Sequence, residues 1–98
     1  MDLVAKVPSD LADLVADYRK NRRREIAQLR TALNKRDVEV LAHLGERMYA
    51  VGAPYGFLQI TSFGLEVRRA CAVGNWQALL NVIERYRTYL REVTIELV

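Results

Sequence analysis

The chain is short of the residues that build catalytic and metal centres. It has one cysteine and one histidine among 98 residues, so an internal disulfide is excluded and a zinc cage of ordinary composition cannot be assembled. No other cofactor is called for by any motif. Two prolines and five glycines are too few for a disordered chain. Long apolar runs are missing too: "WQALL" and "NVI" fall far short of a bilayer span. The opening "MDLVAKVP" has neither the basic start nor the long apolar stretch of a signal peptide, which points to a cytoplasmic location and no membrane partner. What is present is 51% hydrophobic and 28% charged residues. That balance and length describe one folded domain, residues 1–98.

Helical periodicity runs through almost all of it. Pro8 and Ser9 mark a helix start with Ser9 or Asp10 as cap, after which Leu11, Leu14, Val15 and Tyr18 recur at spacings of three and four. The period resumes at Ile26, Leu29 and Leu33 beyond the basic run "RKNRRRE", so residues 10–34 form one long helix or two with a bend near Asn21. Asp37 caps a helix whose buried stripe is Leu41, Leu44, Met48 and Val51, and "GAPYG" ends it. A further helix from about Phe57 to Ala72 buries Ile60, Phe63, Val67 and Cys71, with Gly64 allowing a close neighbour. Gly74 closes it and Asn75 caps the last, where Trp76, Leu79, Leu80, Ile83, Tyr86, Leu90 and Val93 hold the period. No segment alternates like a strand. Long helices with short connections predict an all-α, antiparallel up-and-down four-helix bundle with an N-terminal helical extension.

If Leu41, Leu44 and Met48 point inward, 100° per residue puts Glu39, His43, Glu46, Ala50 and Ala53 on the opposite side of that helix. Arg47 and Tyr49 flank this outer face. These seven residues are the candidate partner-binding surface.

Around them the chain resembles the histidine-containing phosphotransfer domains, helical bundles that relay phosphoryl groups between histidine kinases and response-regulator receiver domains. The resemblance runs from "VPSDLADLVADYRKNRRREIAQLRTAL" through "RDVEVLAHLGERM" and "YGF" to "ACAVGNWQALLNVIERYRTYL". In one bacterial subgroup the core motif reads Leu-Gly-His-x-Leu-Lys-Gly, then a small-residue turn and Tyr-Gly-Phe. Here the same places hold Leu44, Gly45, Glu46, Arg47, Met48, Tyr49 and Ala50, then Tyr55, Gly56 and Phe57. Glu46 thus stands where the phosphorylated histidine is expected, Tyr49 where a lysine would balance phosphate charge, and Ala50 where glycine admits the receiver. The resemblance implies a degenerate, noncatalytic member with no phosphoacceptor, binding a receiver domain or a histidine kinase.

The chemistry of these side chains agrees with that implication. Phosphoryl relay needs a nucleophile such as an imidazole nitrogen near neutral pH, and a carboxylate without a nearby cation is a poor substitute. Tyr49 offers only a neutral hydroxyl. His43, one turn before Glu46, is the alternative acceptor, and as a surface residue it would pair with Glu39 or Glu46. Cys71 reads as a core thiol, and Trp76 with the tyrosines as core and rim. The basic run Arg19–Arg24 raises nucleic-acid binding, but Asp13, Asp17 and Glu25 interleave with it and net charge is only +3. A structural or dimerising helical module is a third reading, for which "VTIELV" would be the apolar patch.

Overall fold

A computed structural model describes residues 2–98. Four helices carry the core: α1 Val15–Asn34, α2 Val38–Gly52, α3 Leu58–Ala72 and α4 Trp76–Glu92. Helix α2 packs against α1 and α3, and α4 against α3 and α1. The fold is all-α in its body. Its two ends, however, form short strands, β1 Val4–Val7 and β2 Thr94–Leu97, paired in parallel with Val4 opposite Thr94. This corrects the expectation that no segment is a strand. Ala5 and Val7 are buried while Val4 and Lys6 are exposed. That alternation spans only four residues, and the pairing joins opposite ends of the chain, so local pattern does not reveal it.

The N-terminal extension is likewise not a continuation of α1. Ser9–Leu14 forms a 3-10 turn, and α1 begins at Val15. Neither Ser9 nor Asp10 caps a helix: the Ser9 hydroxyl instead donates to the Val98 carbonyl at 2.7 Å, tying the turn to the residue that follows β2. Leu14 is 47% exposed rather than part of the inward stripe. Three residues per turn rotate it off the 3.6 period on which that stripe was counted. From Val15 the helix continues unbroken past Asn21, so there is no bend there, and residues 10–34 form neither one helix nor two α-helices but a 3-10 turn followed by α1. Ile26, Leu29 and Leu33 are buried as their spacing predicts.

The other two predicted polar caps, Asp37 and Asn75, do form. The Asp37 carboxylate accepts from the Val40 N–H at 3.2 Å, and the Asn75 side chain from the Ala78 N–H at 3.0 Å. Each satisfies one of the amides a helix start leaves open. Between α2 and α3, Ala53–Tyr55 makes a single 3-10 turn, and Gly56 at φ +92° reverses the chain against the Lys6 carbonyl. A side chain there would strike β1. Gly64 serves the close approach anticipated for it: a methyl group at that position would collide with the Tyr49 amide and lie 2.6 Å from the Gly45 carbonyl oxygen.

In α4, Leu79, Ile83, Tyr86, Leu90 and the following Val93 are buried, but Leu80 is 43% exposed. Val82 and Tyr89 occupy the core instead. The stripe is centred between 79, 83, 86 and 90, and Leu80 lies 100° off Leu79 on its outer side. Phe57, Phe63, Tyr86 and Tyr89 are the largest fully buried side chains among the described residues. Burying each contributes about 1.5–3 kcal/mol relative to exposure.

Neighbouring helices are tied by specific contacts. The Tyr18 hydroxyl donates to the Val51 carbonyl at 2.8 Å, and Arg19 to the Leu90 carbonyl at 3.2 Å. Arg30 pairs with Glu84 and Arg85 with Glu66. The Cys71 thiol, buried as expected, donates to the Val38 carbonyl at 3.3 Å, and burial pushes its pKa up. No helix is long and apolar enough to cross a membrane among the described residues.

Candidate functional site

The outer face of α2 exposes Glu39, His43, Glu46, Arg47, Tyr49 and Ala50, and Ala53 lies exposed in the turn that follows. Asp37 fixes the start of this helix and the Leu41, Leu44, Met48 stripe fixes its rotation, so the seven positions are all exposed, with Arg47 on the α1 side and Tyr49 on the α3 side. The His43 imidazole forms no ion pair with Glu39 or Glu46. That pairing, expected from the one-turn spacing, is absent.

Glu46 does not stand alone on a bare helix. It lines a groove of about 440 Å³ between α2 and α3, whose opposite wall is Leu65, Arg68 and Arg69. Neither arginine is in an ion pair among the described residues. The Arg68 guanidinium lies over the ring of Tyr49, 5.5 Å from its centroid, and Tyr49 is 45% exposed. A cation over a phenol ring is held by the ring quadrupole, by about 0.5–1 kcal/mol at an exposed site. Tyr49 thereby holds an arginine supplied by the next helix. Sequence reading of α2 alone misses this, because the two partners are 19 residues apart.

Arg47 is turned the other way. Its Nε donates to Glu25 Oε2 at 3.0 Å and its terminal nitrogen to Gln28 Oε1 at 3.1 Å, so it reaches toward α1 and not toward Glu46. The reason is beneath it. Glu25 is fully buried, accepts the Tyr86 hydroxyl at 2.8 Å, and has Arg22 Nε at 3.3 Å from Oε1. The guanidinium of Arg22 in turn lies 4.9 Å from the Tyr18 ring centroid. The Arg22 Nε is buried without a hydrogen bond, held by charge rather than by an aligned donor. Burial first, then the charge of Glu25, pushes the Tyr86 phenol well above its ordinary pKa. It therefore stays protonated and remains a donor.

Glu25, read from sequence as a surface acid diluting a basic run, is thus a core residue. A signal for it exists: Tyr18, Arg22, Glu25 and Leu29 follow the spacing of the inward stripe. The same network draws Arg22 out of the basic run, and Arg19 is turned to the end of α4. Lys20, Arg23 and Arg24 remain exposed.

Chemically, the accessible face offers the carboxylates of Glu39 and Glu46, an imidazole one turn from each, a phenol and two guanidinium groups without an ion pair among the described residues. Such a surface can form charged and stacking contacts with a protein. No family model, characterised protein or solved structure matches the chain.

Proposed function

We propose that the chain is a noncatalytic signalling module of the phosphotransfer type, which binds a response-regulator receiver domain or a histidine kinase through the α2–α3 face. The observation that carries this reading is the position of Glu46. It is exposed at the place where the resembled motif puts its histidine, within a groove walled by Arg68 and Arg69. Arg47 is committed to Glu25 and does not compensate for the missing lysine. We place the protein in the cytoplasm, where such partners reside.

The helices of this module are read as an antiparallel up-and-down bundle. Supporting that reading, early α1 meets late α2 through Tyr18 and Val51, and early α1 meets late α4 through Arg19 and Leu90. Late α3 meets early α2 through Cys71 and Val38.

A second reading keeps phosphoryl transfer with His43 as acceptor, and it is favoured by one observation: that imidazole is exposed and free of ion pairs among the described residues. One experiment separates the two. The purified chain is incubated with a radiolabelled phosphorylated receiver or kinase, and binding is titrated in parallel by calorimetry. Binding without label is the expected result. An acid-labile label that disappears in His43→Ala establishes relay, and absence of binding to either partner class overturns the signalling assignment.

A further inference from the structure

Strand β2 has one edge without a neighbour. Its Thr94 N–H donates to Leu3 O at 2.8 Å and its Val98 N–H to Val7 O at 2.9 Å, while Ser9 N–H donates back to Val98 O at 2.9 Å. Residues 94, 96 and 98 therefore direct their backbone groups to β1, and strand geometry turns those of Ile95 and Leu97 the other way. The sheet ends there, at two strands. No backbone group among the described residues meets the Ile95 and Leu97 amides and carbonyls.

The side chains on this edge are unfinished as well. Ala5 is in register with Ile95 and Val7 with Leu97, so these four share one side of the sheet. Ala5 and Val7 are buried and Ile95 half-buried, yet Leu97 remains 52% exposed. An open edge with an apolar fringe is a template for another strand, and a two-stranded sheet gains from having one.

We infer that the outer edge of β2 pairs antiparallel with β2 of a second copy of this chain, Ile95 of each opposite Leu97 of the other. A two-fold axis presents the same strand to itself, and this register matches every outward N–H with an outward C=O. The register centred on Ile95 does not. Placing Ile95 on Ile95 sets Leu97 against Val93, whose N–H is already given to Tyr89 O at 2.8 Å. In the chosen register the apolar Ile95 and Leu97 side chains meet on one side of the joined sheet. On the other side Glu96 meets Glu96 of the second copy at the axis, with Lys6 in register beside each. Like charges directly opposite oppose association, and an edge this short buries less surface than a permanent dimer requires. The dimer is therefore weak and concentration-dependent.

Sedimentation equilibrium of the full chain from micromolar to millimolar concentration reads this directly, and a monomer–dimer equilibrium is expected. Glu96→Gln, which removes the charge at the axis, tightens the dimer by about two- to fivefold. Leu97→Pro deletes an N–H that the monomer does not use, and abolishes the dimer with circular dichroism unchanged. Glu96→Cys gives a disulfide-linked dimer on oxidation, because this antiparallel position brings the two Cα atoms within bridging distance. Buried Cys71 supplies the background in the parent chain. A chain that stays monomeric throughout, with Glu96→Cys no more cross-linked than the parent, overturns the inference. So does a dimer that persists in Leu97→Pro, or that Glu96→Gln leaves unchanged.

Discussion

The Tyr86 hydroxyl donates to Glu25 Oε1 at 2.8 Å, joining α4 to α1 in the interior of the protein. The other carboxylate oxygen takes Arg47 from α2 at 3.0 Å, so one buried side chain ties three helices together. Such a group is stable only while its partners are present. Replacing the whole set by well-packed apolar residues is tolerated, whereas removing one member leaves an uncompensated charge.

Glu25→Ala is therefore expected to destabilise the fold by about 3–5 kcal/mol, since it strands Arg22 in the interior. Tyr86→Phe removes one hydrogen bond to a charged acceptor, and costs about 1.5–3 kcal/mol. Urea unfolding followed by circular dichroism measures both. A Glu25→Ala penalty below that of Tyr86→Phe contradicts the network as described.

The buried phenols set the alkaline limit of stability. Burial chiefly, with the charge of Asp2 second, pushes Tyr89 from the usual tyrosine value of 10.0 up to about 12, and Tyr18 and Tyr86 move in the same direction. The folded state holds these protons more tightly than the unfolded chain. The contribution of Tyr89 is thus fully present below pH 10.0 and is lost as pH rises through its folded value of about 12, while that of Tyr18 and Tyr86 is lost at higher pH still. Unfolding free energy should fall steadily across that window, and tyrosinate absorbance should show these phenols titrating late. Stability that is flat there refutes the assignment.

Helix α3 lies against α2 at a distance only glycine permits. Gly64→Ala drives a methyl group into the backbone at Tyr49 and Gly45. At Gly45 the facing atoms belong to side chains, with Val67 Cγ1 2.8 Å from the added carbon. Side chains yield more readily than backbone, so Gly64→Ala should cost more than Gly45→Ala, the former about 1–3 kcal/mol or above. Thermal unfolding of the two variants gives the order directly.

The sequence made the helices legible because their apolar positions repeat over many turns and their caps are local. Asp37, Asn75 and the Leu41, Leu44, Met48 stripe all follow from neighbours within a few residues. What escaped depends on distant partners. The β1–β2 pair joins residues some ninety positions apart, and Arg68 meets Tyr49 only after α3 folds back on α2. Glu25 escaped for a different reason. Its spacing places it in the stripe, but a lone carboxylate is read as a surface residue unless Arg22, Arg47 and Tyr86 are known to surround it.

The exposed counterpart of Glu25 is Glu46, and its charge governs the proposed complex. Its removal leaves the fold intact, since Glu46→Ala takes away no ion pair and costs within about 0.5 kcal/mol, against about 2–5 for Leu44→Ala or Ile83→Ala in the core. A receiver domain, as the resemblance implies, gathers carboxylates around a Mg²⁺ ion in its phosphorylation pocket. Glu46 brought to that pocket meets like charge. Two carboxylates about 4 Å apart repel by roughly 1 kcal/mol in water and about 4 kcal/mol at an intermediate effective dielectric, and a divalent cation between them reverses the sign. Arg68 and Arg69 on the far wall of the groove soften the repulsion without bridging it. Glu46→Gln keeps the shape and removes the charge. It should therefore strengthen binding in chelator by about fivefold or more and shrink the gain on adding Mg²⁺. Calorimetric titration of both chains against the receiver, with Mg²⁺ and with chelator, measures the four affinities. Equal Mg²⁺ dependence in the two chains places Glu46 outside the contact.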